Sequence, residues 1–353
     1  MSKRITQKDI ARHLHLDKST VSLALRDAPA INPTTRDRVM KAAKELGYRP
    51  DPALAVLAQC RWAGHEKGSG SVLAYLMDLR IQGGEQHGRF LPAAKARAEE
   101  RGFILQVFDL AEYASLEQAC RVLSHRGIRG LLAPQFLFGD DLERLNTMMK
   151  DFTVIGLDLG FYPIPFHVVA PDVFETGRLV WETVVKRGYR RIGCAVLQHQ
   201  PEAYDDRVRL GAAMAQQHKL VPPQDHIPLL TSAPDDRDSF CRWMDRYQPD
   251  VVIGFISRVY RWIESTGRKV PEDVAYASLM VLMEEFPDHS GAPVPNTEIA
   301  VTGVDALIAA IHANEWGVPQ LQRKFILEPV WHEGNTLPDR TEAVVSRVPH
   351  LVR

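Results

Sequence analysis

Thr6-Gln-Lys-Asp-Ile-Ala-Arg-His-Leu14, Lys18-Ser-Thr-Val-Ser-Leu-Ala-Leu25 and Asn32-Pro-Thr-Thr-Arg36 are three successive helix starts near the amino terminus. The Thr6 hydroxyl is placed to cap a first helix whose third residue is Asp9, close to a capping box. Ile10, Ala11 and Leu14 then form one apolar stripe, while Lys8, Arg12 and His13 point away. Val21, Ala24 and Leu25 of a second short helix supply the partner surface, after a turn through His15 and Leu16 and with Asp17 as cap. Asn32 as N-cap and Pro33 in the first helical position open the third helix. Its Val39, Ala42, Ala43 and Leu46 close the core before Gly47 ends it.

A second helix buried through Val21 and Leu25 turns Lys18, Ser19, Thr20, Ser22, Leu23 and Arg26 outward, where they are candidates for touching DNA. The first turn of such a helix reaches base edges. The hydroxyls, amide and cation around it, Thr6, Ser22, Arg26, Asn32 and Thr35, suit phosphate oxygens. The alternative is a small solvated three-helix cap with no nucleic-acid role.

The charge distribution favours the first reading. Residues 1–61 carry 12 Lys or Arg against 6 Asp or Glu, a net +6, and the rest carries 31 against 38, a net -7. A basic head on an acidic body fits nucleic-acid contact at one end. The 353 residues have room for two or three domains, and 45% apolar with 25% charged residues is the composition of a globular chain. With no run long enough to span a bilayer and a charged start in place of a secretory apolar segment, a cytoplasmic protein is expected. The four cysteines, Cys60, Cys120, Cys194 and Cys241, lie far apart without metal-type spacing, as reduced thiols do.

After the head, Asp51-Pro-Ala-Leu-Ala-Val-Leu57-Ala-Gln has a cap, an early Pro and good helix formers, but is too short to be stable alone. Gly64 to Gly70 read as a flexible joint. From Ser71 onward apolar runs alternate with helical stretches. Strands are expected at Val72–Met77, Phe103–Phe108, Gly130–Ala133 and Val154–Leu157, with helices near Pro92–Arg101 and Leu116–His125. A second round follows, with helices around Thr176–Arg187 and Val208–His218, strands at Ile192–Leu197, Ile227–Leu230, Val251–Phe255 and Val274–Ala277, and a final helix around Ile299–Asn314. This layout implies an α/β core of two Rossmann-like lobes behind a small all-α helix-turn-helix head.

Residues 4 to 57 resemble the head of the lactose-repressor (LacI) family of bacterial transcription regulators, in Thr6-Gln-Lys-Asp-Ile-Ala, in Ser19-Thr-Val-Ser22, and from Asn32-Pro-Thr-Thr-Arg36 through Leu46-Gly-Tyr-Arg-Pro50. Lys186-Arg-Gly-Tyr-Arg-Arg-Ile-Gly193, Pro249-Asp-Val-Val252 and Val270-Pro-Glu-Asp-Val-Ala275 are similar to landmarks of that family's effector-binding core. The resemblance implies a periplasmic-binding-protein-like fold, two lobes with a cleft between them. It implies base reading by Lys18, Ser19 and Leu23, and phosphate contacts by Thr6, Ser22, Asn32 and Thr35. It also implies a hinge helix that orders on DNA, with Leu57 wedging into the minor groove. A plain linker helix is the other reading of that segment. Two departures stand out in the head. His15 takes a turn position usually held by Gly, and Leu23 offers no hydrogen bond to guanine, so a different operator half-site is expected. Ala55-Val56 also replaces the family's usual Arg-Ser before the leucine.

The domain organisation expected is residues 1–49 as the helix-turn-helix, 50–62 as the hinge helix, 63–70 as a linker, 71–340 as the two-lobed core and 341–353 as a tail. Lobe one takes about 71–169 plus 290–318, and lobe two about 170–289 plus 319–335. In the cleft the resemblance places Asp158 and Arg209 on a polar effector, with a structural ion pair or lone surface charges as the alternative. Phe255 and Met280 stand where the family carries Asn-Asp and Asp, which favours a flat or apolar ligand, or a cleft without one.

No catalytic constellation is expected. His87, His125, His167 and His199 are scattered, no Ser or Cys sits in a nucleophile elbow, and Gly83-Gly84 lacks phosphate-loop spacing. His13 and His15 have no further ligands to complete a metal site, so neither metal nor cofactor is expected. Trp243 with Tyr247, and Trp262 with Ile263, read as core or interface filler. The overall expectation is no enzyme but a DNA-binding regulator, a repressor acting as a homodimer on a palindromic operator under a small-molecule effector, a sugar or related metabolite. A tetramer stays open. The alternative is a cytoplasmic small-molecule-binding protein of the same fold without effector-controlled DNA release.

Overall fold

Three short helices and a long run of alternating strands and helices build two units, Met1–Gly70 and Ser71–Arg353. The computed structural model describes residues 5–25, 31–46, 48, 72–80, 88–134, 142–158, 165–198, 204–233, 235–255 and 257–341. The expected hinge (50–62) and linker (63–70), nearly all of the tail, and the candidates Arg26 and Leu57 lie outside the described residues.

The first unit packs α1 (Gln7–Leu14), α2 (Lys18–Ala24) and α3 (Pro33–Glu45) around Ile10, Ala11, Val21, Ala24, Val39, Ala42 and Ala43. Leu25, expected inside, is only partly buried against this cluster. Ala24 takes the inner position one residue earlier, because α2 ends there and Leu25 is already its C-cap. The Asp9 carboxylate accepts the Thr6 N–H at 2.9 Å and the Thr6 hydroxyl at 2.7 Å, which secures the start of α1. The Asn32 side chain accepts the Thr34 N–H at 2.9 Å and caps α3. Asp17 occupies the N-cap of α2 in extended backbone but makes no side-chain capping bond.

The second unit holds two parallel sheets. In the first, β1 (Val72–Met77), β2 (Ile104–Asp109), β3 (Gly130–Pro134), β4 (Thr153–Leu157), β5 (His167–Pro171) and β10 (Lys324–Leu327) lie in the order β10-β5-β4-β3-β1-β2. The helices Leu91–Glu100 (α4) and Asn296–His312 (α11) bury one apolar cluster with Leu73, Leu132, Ile155 and Val169. Leu116–His125 (α5) and Leu142–Met149 (α6) bury another with Ala74, Leu76, Leu131 and Val154. The alternating inward and outward residues of each strand thus face two different helical layers, as a doubly wound sheet requires.

In the second sheet the order is β6 (Ile192–Ala195), β7 (Val251–Gly254), β8 (Ala275–Val281) and β9 (Gly291–Pro293). Val173–Lys186 (α7) and Tyr204–Leu220 (α8) contribute Val180, Trp181 and Ala213 to the core on one side. Arg237–Tyr247 (α9) and Ser257–Ser265 (α10) contribute Phe240, Trp243, Val259 and Trp262 on the other. The expected strand Ile227–Leu230 is reduced to a bridge from Leu230 to Ala195, since Pro228 removes a ladder donor.

Two lobe boundaries need correction. β9 falls in the stretch assigned to lobe one, yet it pairs with β8 in the lobe-two sheet. β10 falls in the stretch assigned to lobe two, yet it pairs with β5 in the lobe-one sheet. Each of these short strands completes its ladder before the chain crosses, because leaving it unpaired would strand its backbone donors and acceptors.

Candidate DNA-binding face and effector cleft

The outer face of α2 follows from which side of a seven-residue helix is buried. Val21 is 0% exposed and Ala24 1%, so Lys18, Ser19 and Leu23 stand in solvent, with Leu23 at 36%. Thr20 and Ser22 are half-buried at the flanks. The face therefore offers one cation, hydroxyls and one apolar side chain, a mixture suited to phosphate oxygens, base edges and a thymine methyl. Thr6 and Asn32 are exposed at the starts of α1 and α3, and Thr35 is half-buried in the first turn of α3. The turn before α2 is made by His15 at φ 52° and ψ 44°, the left-handed conformation that its usual Gly adopts freely.

In the second unit, parallel strands direct their carboxyl ends toward the cleft, and the four cleft candidates sit at or near such ends. Asp158 follows β4, with φ 69°, its N–H donating to the Val169 carbonyl at 2.8 Å and its side chain buried. Its partner is Arg89, from the turn ahead of α4, whose guanidinium lies over the Phe90 ring at 4.7 Å. Both members of that ion pair belong to lobe one.

Arg209, on α8, is 4% exposed. It is ion-paired with Asp205 one turn earlier, lies 3.8 Å from Asp206, and stacks 3.3 Å above the centre of the Phe255 ring. Burial pulls its pKa below the ordinary guanidinium value, while Asp205, Asp206 and, across the cleft, Asp158 pull it back up. Phe255, expected at the cleft, lies in the lobe-two core and carries Arg209 on its face. Met280 is half-buried at the edge of the same core, with its N–H donating to the Ser278 hydroxyl at 3.1 Å.

The structure thus brings Asp158 and Arg209 within electrostatic reach of each other, but each first answers a charge of its own lobe. Sequence reasoning missed Arg89, Asp205 and Asp206. The two aspartates precede Arg209 by four and three residues, the helical spacing for ion pairs, so that signal was present. Arg89 lies 69 residues from Asp158, and no local pattern announces it. Arg89 Nε and Arg209 Nε are both buried without a hydrogen-bond partner among the described residues. A desolvated N–H donor without an acceptor is costly, so each of these two stands out.

Residues 6–51 match the family described as "Bacterial regulatory proteins, lacI family". The sucrose operon repressor of Shigella flexneri is 25% identical over 301 residues, covering 76% of this chain and 81% of that protein. The regulator GalS of Salmonella typhimurium is 43% identical over 207 residues, covering 58% of this chain and 57% of its own. Among solved structures, the lac repressor dimer bound to operator and the anti-inducer ONPF aligns over 95% of this chain and 99% of its own, with a TM-score of 0.58 at 17% identity. A CelR–cellobiose complex aligns over 94% and 100%, with a TM-score of 0.57. The head thus matches the lacI family of bacterial regulatory proteins, and the rest of the chain shares the fold of solved regulators of that kind.

Proposed function

We propose that this chain is a sequence-specific transcriptional regulator, a repressor that binds a pseudo-palindromic operator as a homodimer and releases it when a small molecule occupies the inter-lobe cleft. The observation that carries this reading is α2, which buries Val21 and Ala24 and holds Lys18, Ser19 and Leu23 outward within the segment matched to the family. Two-fold symmetry of a dimer maps onto two half-sites. In this reading Lys18, Ser19, Thr20 and Leu23 read bases, and Thr6, Ser22, Arg26, Asn32 and Thr35 hold phosphates. Residues 1–49 act as the head, 50–62 as a hinge helix with Leu57 as its minor-groove wedge, 63–70 as linker, 71–340 as the core and 341–353 as tail. The protein works in the cytoplasm, beside its DNA.

The orphaned N–H groups of Arg89 and Arg209 support an effector rich in acceptor oxygens, a sugar or related metabolite, lying between the two ion pairs with Met280 at its edge. Effector control requires only that the ligand prefer one arrangement of the lobes.

A gel-shift selection on genomic fragments, with the full chain and with a chain lacking residues 1–60, tests the reading. The full chain is expected to retain a specific fragment and the truncated chain none; equal retention by both would overturn it. With the selected fragment in hand, Leu57→Ala is expected to weaken specific binding more than non-specific binding, and an unchanged ratio would remove the wedge from the account.

A further inference from the structure

The lobes are joined where the chain leaves one sheet for the other, and two of these passages run side by side. β5 ends at Pro171, and Asp172 then caps α7 of lobe two. β10 ends at Leu327, and His332 then bridges to Gly291 in lobe two. Between those limits the two strands are parallel neighbours, Val168 to Pro171 against Lys324 to Leu327, closed at the top by the Asp172 N–H donating to the Leu327 carbonyl at 2.8 Å. Two of the passages between the lobes therefore start from the upper end of this ribbon.

The lower end of the ribbon is fastened differently. The Val168 N–H donates to the Arg323 carbonyl at 3.1 Å, but the Arg323 N–H finds a side chain in place of a carbonyl, His167 Nδ1 at 3.0 Å. The Arg323 guanidinium lies 2.8 Å from the other ring nitrogen and is ion-paired with Glu315, which itself stands 3.4 Å from His167 Nε2. Gln322 adds a side-chain donation to the Phe166 carbonyl at 2.7 Å. The residue is 7% exposed. The charged groups around it are Arg323 and Lys324 at the entry to β10 and Glu315 from the turn after α11, while β4 on the other side contributes Thr153 and Ile155, both uncharged.

We propose that His167 is a positioning residue, the clasp that seats β10 on β5 at the base of the inter-lobe ribbon, and that protonating it loosens the joint through which the lobes move. The inference rests on the two-lobed effector reading above. A neutral imidazole accepts a hydrogen bond at one nitrogen; an imidazolium accepts at neither. Burial, reinforced by the Arg323 charge, lowers the His167 pKa below the ordinary histidine value, with Glu315 pulling the other way. The folded chain therefore holds the neutral ring, and the clasp is increasingly opposed as pH falls below that ordinary value. His289 and His312 are also shifted downward by burial, so pH alone does not single out this residue.

Hydrogen exchange of the full chain, corrected for intrinsic rates, reads the clasp without reference to DNA. In the wild type the protection factor of the Arg323 amide is expected to fall roughly tenfold between about pH 8 and about pH 5.5, about 1.4 kcal/mol. His167→Asn keeps an acceptor near Nδ1 but does not titrate, and is expected to hold its protection at both pH values. His167→Leu is expected to lose it at both. A wild-type amide with constant protection, or a His167→Asn profile that follows the wild type, overturns the proposal. Loss of DNA binding by an intact clasp would count against the regulator reading alone.

Discussion

Arg209 shows how a single side chain is committed before any ligand arrives. Its guanidinium sits between the Phe255 face and two carboxylates, and Asp206 beside it has no exposed side-chain surface. Removing the cation takes an ion-pair partner from both carboxylates, one of them fully buried, and breaking such a pair costs far more than the pair contributes. Arg209→Ala is therefore expected to destabilise the core by roughly 3 kcal/mol in chemical denaturation and to abolish any effector-dependent release of DNA. A variant as stable as the parent would mean that Asp205 and Asp206 reach water when the lobes open. Arg209 and Asp158 stood out in the sequence as charges. That each would answer a partner in its own lobe did not, because Arg89, from the turn ahead of α4, is 69 residues from Asp158 in the chain. The apolar character of Phe255 was equally legible, but its place beneath Arg209 depends on α8 bringing that side chain over the residue that follows β7.

At the scale of elements, local chemistry carried most of the reading. Leu116–His125 has the expected bounds, since Ser115 caps it by accepting the Gln118 N–H and Ala119, Cys120 and Leu123 make one buried stripe. The third head helix rests on a similar device, the Asn32 cap followed by Pro33. Asn32→Ala is expected to lower the stability of the head by about 1 kcal/mol, followed by thermal melting or limited proteolysis between α2 and α3. No change in either would mean that packing of Val39 and Ala42 alone secures the helix start. The sequence reading missed the interior strand β5 and the helix Leu142–Met149, and it also missed short strands at sheet edges. β9 has three residues and β10 exposes Lys324, Phe325 and Ile326, so neither shows a buried strand's apolar run. The helices Arg237–Tyr247 and Ser257–Ser265 were visible only as pairs of aromatic residues at helical spacing, and those pairs proved to be core.

For the whole molecule, the decisive asymmetry is electrostatic, +6 on residues 1–61 against -7 on the rest. A basic head that neutralises several phosphates displaces their counterions, so operator affinity is expected to fall roughly a thousandfold or more between about 50 and about 200 mM salt. A flat salt dependence in filter binding would mean that the face of α2 does not lie on the phosphate backbone. The sequence by itself determined the trihelical head, the alternation of strands and helices, and the charge division, because caps, periodicity and composition act over a few residues and need no distant partner. Tertiary structure alone decided where the lobes exchange chain, which charges close on which, and that His167 fastens β10 to β5. Those outcomes depend on distant groups, such as Arg323 and His167, 156 residues apart, meeting in a folded sheet, where desolvation makes each unmet donor or charge costly.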